Sequence, residues 1–476
     1  MKQVIENTTL NTIYGGTRNL YVSLSQHCLS IQAGYTQFFL IFLFCTGTTC
    51  PSHRERRTSW HFARWDKRLL QELRGSRRGF LNMEKESWYS VTDGVHVFSA
   101  FITTTVEHAI HVVSLVQFRD SNGTSIEPPP MICGIRSSLG VTEHEARIRP
   151  LWTWLEPRLK SAFILCPPPA VSEEGVEVAI SVRGSSKRLS VWIPVHYPPV
   201  ESEGKCCAVC VRPTFGSAIS VSKVAEFIAH YRLMGAREFY FYDLEMSDDL
   251  KVLLGYMQMK GVDITVVPFK LLVDSTEVHA HGQMAGLYDC MFRSMPKSEY
   301  HIHVDIDELM VPLQYSNISA LVYGVEATHG GHVVGSIVVR STYYCAEYPL
   351  RPLSLQDRRG PLQTRLFTLH TQYVSFGDST KYVGRTRTIC DAGVHIVRKH
   401  CGSFQAVLAP SSMAGVNHYR RCCEFAGANR IKTVEFNLWN ISELFRDDTV
   451  EERATLIENE LDILGLRKVG ESLIES

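Results

Sequence analysis

Neither sign of charge prevails in this chain. Lys and Arg number 49 and Asp and Glu 49 in 476 residues, so there is no overall field to gather nucleic acid or an anionic membrane surface. Long apolar runs are also scarce. The one intense run is Phe38–Cys45, well short of the roughly 20 residues that a spanning helix needs. Span length is reached only by counting Ile31 to Cys50 with its threonines. Residues 35–50 are therefore open to three readings: a short membrane anchor, the core of a signal peptide, or a buried strand. Arg54, Arg56, Arg57, Arg64, Lys67 and Arg68 follow this run, whereas only Lys2 and Arg18 precede it. Those charges would keep the side after it cytosolic.

Two nucleotide signatures are missing. There is no G-x-G-x-x-G and no Walker lysine motif, which weighs against dinucleotide and P-loop classes. Cysteine is not scarce, at 14, but it lacks the pattern of a zinc site. Cys206-Cys207-x-x-Cys210 and Cys422-Cys423 invite such a reading, yet no C-x-x-C finds a matching second pair. Buried thiols or disulfides are the preferred account. N-x-S/T acceptor sequences stand at Asn7, Asn122, Asn317 and Asn440, and matter only in a secreted or lumenal chain.

What is present suits a globular protein of two to three domains, with 45% hydrophobic and 21% charged residues. Residues 1–50 form an N-terminal segment. Residues 51–85 read as a basic, solvated stem, with nine Lys/Arg against three acidic residues over 51–80. Residues 86–204 read as a smaller β-rich domain, with strand-like runs at Trp88–Val97, Val112–Phe118, Glu177–Arg183 and Leu189–His196. Its Trp152 and Trp154 are expected in the core. From residue 205 to 445 the pattern alternates. Strands are expected at Cys207–Arg212, Phe239–Tyr242, Val262–Val267 and Tyr300–Val304. Helices are expected at Ile219–Met234, Asp248–Met259 and Ala280–Phe292, with Ser247 capping the second. This order predicts an α/β fold with a doubly wound, mostly parallel sheet. Residues 446–476 hold a packing helix, with Val450, Ala454, Ile457, Leu461 and Leu464 on one face.

The chemistry concentrates in Tyr300-His-Ile-His-Val-Asp-Ile-Asp-Glu308. Asp305, Asp307 and Glu308 fall where the strand should end, and in open α/β sheets ligands bind beyond the carboxyl ends of strands. Three carboxyl groups so close repel one another unless a cation lies among them. A hard divalent ion shared with substrate phosphates meets that need. A solvated acidic turn is the plainer alternative. His301 and His303 read as packed strand histidines.

Several blocks recur in one order: Ala208-Val-Cys-Val-Arg-Pro213, Glu226-Phe-Ile-Ala-His-Tyr-Arg-Leu-Met-Gly235, Phe239-Tyr-Phe-Tyr-Asp243, Gly282-Gln283 with Tyr288-Asp-Cys290, and His303-Val-Asp-Ile-Asp-Glu308. Together they resemble glycosyltransferase family 92, from about Cys206 to Phe425. The region around Val97-Phe-Ser-Ala-Phe101 is also similar to what precedes that domain. The resemblance implies a GT-A-like fold and an inverting transfer of a hexose, galactose first, from a UDP-sugar to a glycan hydroxyl. By position, Asp305 and Asp307 would hold Mn²⁺ or another divalent cation against the UDP diphosphate, and Glu308 would organise the turn. The segments Lys381 to His395 and Asn417-His-Tyr-Arg420 also match, which makes His395 or His418 a candidate metal ligand. Val-Arg-Pro departs from the family, which often has a smaller residue before the proline, and Arg-Thr-Arg stands at 385–387 where proline is usual.

Lys381, Gln283 and Asp289 are candidate donor contacts, and Arg385 or Arg387 could add fixed positive charge. An inverting reaction needs a carboxylate base. Glu347 and Asp391 are conceivable, and neither is chosen. A lumenal Golgi enzyme on a single-pass anchor is the expected setting, with a donor and a glycan as partners and no nucleic acid. Two other classes compete. One is a glycan-binding protein on a degenerate transferase fold. The other is a D-x-D phosphohydrolase with Asp305 as nucleophile, although there the motif usually stands near the start of the domain.

Overall fold

The computed structural model describes the backbone of residues 20–25, 28–35 and 38–45. It describes in full residues 66–67, 69–71, 73, 81–85, 87–103, 107–153, 155–170, 175–185, 191–197, 206–215, 219–346, 362–374, 379–420 and 444–466. The apolar run Phe38–Cys45 is a strand, antiparallel to Cys28–Tyr35, which pairs in turn with Leu20–Ser25. Among the described residues no helix is long and apolar enough to cross a membrane.

The β-rich segment forms a nine-stranded sheet. Its centre is the antiparallel pair Val95–Thr103 and Ala109–Gln117, with Leu159–Cys166 alongside. Every residue of Val95–Thr103 is buried, because both faces of this strand are covered. One face joins Val112, Cys133, Ile164 and Val178 in a core of its own. The other, through Phe98 and Phe101, packs on the rest of the molecule: Phe98, Trp88 and Phe269 form a mutual aromatic cluster with centroids 4.9–5.4 Å apart. Trp152 is half-buried, with the Arg398 guanidinium 4.0 Å above its ring. Trp154 lies outside the described residues.

The alternating region forms an eight-stranded mixed sheet. At its centre Ala208–Val211 lies between Glu238–Glu245 and Tyr300–Val304, parallel to both. Asp263–Pro268 extends the parallel run on the first side. Lys381–Arg385 enters antiparallel next to Tyr300–Val304, and Val334–Val339 and Gln405–Leu408 follow. The expected mostly parallel sheet thus carries one antiparallel strand beside its acidic one. Helices form where apolar spacing and caps agree. Asp248–Met259 begins at Ser247, whose hydroxyl accepts from Leu250 N at 3.3 Å. Val221–Leu233 is capped from a distance: the Asp66 carboxylate accepts from Val221 N and Ser222 N. Leu69, Leu70 and Leu73 beside it are buried in the main core, so this part of the expected solvated stem is a packed helical turn.

A second, five-stranded sheet is built from Glu308–Pro312, Ala414–Arg420, Ser341–Cys345, Leu369–His370 and Phe445–Arg446. The final helix, Val450–Ile463, buries Val450, Ala454 and Ile457 and ties Arg365 to Glu458 and Arg232 to Glu460. Disulfides join Cys133 to Cys166, Cys206 to Cys207, Cys210 to Cys290 and Cys390 to Cys401. Zinc ligation by Cys206, Cys207 and Cys210 is thereby excluded. Cys422 and Cys423 lie outside the described residues.

Candidate active site

Strand order reverses at Ala208–Val211: successive strands add on one side up to Asp263–Pro268, and Tyr300–Val304 then joins on the other. Such a switch point opens a crevice at the strands' carboxyl ends. Val211 is in register with Val304, so the next residue of each strand, Arg212 and Asp305, emerge side by side. Arg212 Nε lies 3.4 Å from Asp305 Oδ1.

The chain then reverses. Glu308 N donates to Asp305 O at 3.0 Å, and Asp305 N donates to Glu308 Oε2 at 2.9 Å. This turn removes the opposed directions that Asp305 and Asp307 would have in an extended strand. It also hands the chain to the second sheet, where Glu308 pairs in register with His418. His418 Nε2 is 3.4 Å from Asp307 Oδ2, and its Nδ1 is 3.5 Å from Glu308 Oε1. From below, Tyr231 Oη donates to Glu308 O at 3.0 Å and accepts from Met310 N at 3.1 Å.

Lys381 opens its strand fully buried. Its Nζ lies 2.8 Å from Glu308 Oε2 and 3.7 Å from Asp305 Oδ2. Burial opposes its charge, but Asp305 and Glu308 offset that and hold its pKa above the usual lysine range. Burial would raise Asp305 too, yet Lys381 and Arg212 hold it below the usual carboxylate range. Glu308 is raised by burial, against the opposing Lys381 charge and with the Asp305 charge adding to the rise. Two of the acidic groups therefore already have cations from the chain itself. Asp307 is the open one, with 42% of its side chain exposed.

The other expected residues divide. His395 is on the loop that meets Lys381: its Nδ1 is 3.1 Å from Thr380 O, and burial followed by the Lys381 charge lowers its pKa to about 4. Gln283 is buried one layer down, with Nε2 3.2 Å from His303 Nε2. His301 packs against Thr386. Asp289 has to be corrected. It is fully buried and takes hydrogen bonds from Ser99 Oγ and Tyr242 Oη, both at 2.6 Å, and from Arg293. These partners join the two large sheets, and no lone pair faces a ligand. Arg385 also leaves the site, because at the far end of its strand it pairs with Glu299 and Glu326; Arg387 lies beyond it, in the field of Glu299 as well. Asp391 accepts from Tyr288 Oη at 3.0 Å, and Glu347 lies outside the described residues. Arg212 and Tyr231 were missed as site residues. Arg212 could have been found from its place just after the first strand of an α/β unit. Nothing in the sequence marks Tyr231.

Among the described residues no three His, Cys, Asp or Glu side chains stand arranged to hold a metal. A cavity of about 570 Å³ lies elsewhere, between the nine-stranded sheet and the edge strand Asp263–Pro268, and touches none of the site residues.

A family model described as glycosyltransferase family 92 matches residues 205–457, more than half of the chain. The chain belongs to glycosyltransferase family 92. The matched region holds Arg212, the acidic turn, Lys381 and both late histidines. The chain is also similar to the β-1,4-galactosyltransferase galt-1 of Caenorhabditis elegans, at 24% identity over 273 residues. That alignment takes in 54% of this chain and 60% of the relative, so the chain spans less than two thirds of the relative's length.

Proposed function

We propose that this family 92 glycosyltransferase moves a hexose, galactose first among candidates, from a UDP-sugar to a glycan hydroxyl with inversion, with Mn²⁺ or a similar cation. The observation that carries the reading is the Asp305–Glu308 turn at the switch point of the sheet, backed by the buried Lys381. The two aspartates suit a hard divalent ion, with the rest of its shell to come from the donor. Asp305 Oδ1 is buried without a hydrogen bond, and Asp307 stands open beside it. Asp305 and Asp307 would hold the ion with the diphosphate, and His418 or His395 would add an imidazole only by moving toward it. Bound there, the ion would offset charge on the departing diphosphate.

The chain's own residues hold the geometry. Glu308 spans the turn, Lys381 keeps it from splaying by charge repulsion, and Tyr231 fixes the backbone on which both depend. The mostly parallel sheet supports a GT-A-like fold. The disulfides suit an oxidising lumen such as that of the Golgi, and Asn122 lies exposed in a turn where a glycan would fit.

Calorimetry on the full chain, with UDP-galactose, UDP-glucose and UDP-N-acetylglucosamine, each with and without Mn²⁺, tests the reading. Binding that needs Mn²⁺ and favours UDP-galactose is expected. A folded protein that binds none of the three would return the turn to a structural role and leave a glycan-binding or hydrolytic protein to be tested.

A further inference from the structure

The divalent ion and Arg212 want the same atom. Arg212 Nε lies 3.4 Å from Asp305 Oδ1, but at that distance and angle it makes no hydrogen bond, and Oδ1 is left buried without one. Asp305's other oxygen faces Lys381, whose shorter contact is to Glu308. The two cations differ in freedom. Lys381 is fully buried and paired, whereas the Arg212 side chain is 48% exposed, and its guanidinium lies 5.8 Å from the Phe215 ring at the open end of the sheet. Among the described residues Asp305 is its one ion-pair partner.

Charge makes the conflict sharp. Asp305, Asp307 and Glu308 bring three negative charges, and Lys381 and Arg212 two positive ones. A dication added to this set leaves a net positive charge, with Arg212 pressed against it. An arginine cannot yield by losing its proton, so it must yield by moving. The group that would draw it away is the donor's diphosphate, since a guanidinium matches phosphate oxygens in pairs.

We propose that Arg212 is a tethered counter-ion, seated on Asp305 in the empty enzyme and transferred to the diphosphate when donor and metal arrive. The proposal rests on the reading that this site takes a nucleoside diphosphate with a divalent cation. It makes donor and metal mutually dependent: each binds the free protein weakly and the other's complex tightly.

The test is calorimetric titration of Mn²⁺ into the full chain, with and without UDP, for wild type, Arg212→Ala, Arg212→Lys and Asp305→Asn. Thermal melts verify folding, and Arg212→Gln replaces the alanine variant if that one melts early. Without UDP, removal of the guanidinium is expected to tighten Mn²⁺ binding about tenfold, within the usual range of site-to-site coupling. In the same variant UDP binding weakens and the coupling of the two ligands shrinks. Arg212→Lys keeps the charge and so keeps Mn²⁺ binding weak. If Arg212→Ala leaves Mn²⁺ affinity unchanged or lower while Asp305→Asn abolishes it, the counter-ion role is overturned and the metal site stands. If folded wild type binds no Mn²⁺ even with UDP, the metal reading falls and this proposal falls with it.

Discussion

Lys381 is a cation with no exposure, set between two carboxylates. Taking one partner from a buried pair leaves an uncompensated charge, which costs about 3–5 kcal/mol. Lys381→Met should lower the stability by that amount in urea denaturation at pH 7, and Glu308→Gln with it should restore part of the loss. Buried histidines give the molecule a second liability. Burial lowers His230 and His301 to about 4 and His111 to about 3. Between their unfolded pKa near 6.5 and these folded values the unfolded chain binds more protons, so stability must fall as pH falls through that window. The urea midpoint is expected to drop steadily from pH 6.5 to pH 4. A flat profile would mean that these rings are wet in solution. At this scale the sequence was readable where chemistry is local. Asp305 and Asp307 stand in a recognisable order. Asp289 reads either as a substrate contact or as a helix residue facing the sheet, because nothing local reveals that Ser99 and Tyr242 reach it from distant segments.

Among the elements, the helix Asp248–Met259 was legible to the residue, because a capping serine and a clean apolar period agree. The next one was expected from Ala280 and begins instead at Gln283. Ala280, His281 and Gly282 all have positive φ, and only the glycine announces such a backbone. Placing the other two there costs roughly 1–2 kcal/mol each. The His281 ring lies 4.1 Å from Phe215, a contact that the neighbouring strands impose and no local pattern foretells. The Leu69–Leu73 turn was hidden for another reason: its three leucines sit among arginines whose charge dominates the pattern. Asp289 offers a test at this level, since its helix is joined through it to a strand of each large sheet. Asp289→Asn should cost about 3–5 kcal/mol and should lower one shared unfolding transition rather than split it in two, as calorimetric melting would show.

Across the whole molecule, the sequence divides at about residue 205 while the packing does not. Phe98, Phe101 and Phe163 share a core with Tyr242, Phe269, Tyr288 and Phe292, and each such ring is worth roughly 1.5–3 kcal/mol when buried. A chain that starts at residue 205 would bare that surface. It should be recovered as aggregate, whereas residues 66–476 give a soluble species in size-exclusion chromatography. A monodisperse, folded 205–476 fragment would show that the two units are independent. Composition could not reveal this dependence, because a strand buried on both faces reads the same whether its second neighbour is its own sheet or another domain.

The pairing of Glu308 with His418 also bears on how the protein is made. Synthesis delivers Asp305 and Asp307 long before Lys381, and His418 later still. At about 5–20 residues per second, the acidic pair waits roughly 5–20 seconds for the histidine that flanks it. During that interval the turn has no second sheet to enter; Arg212 can already meet Asp305, but Glu308 waits for Lys381 and Asp307 for His418. The site is thus among the last parts of the molecule to close, and a nascent chain released before residue 414 would carry the motif without the place it belongs to.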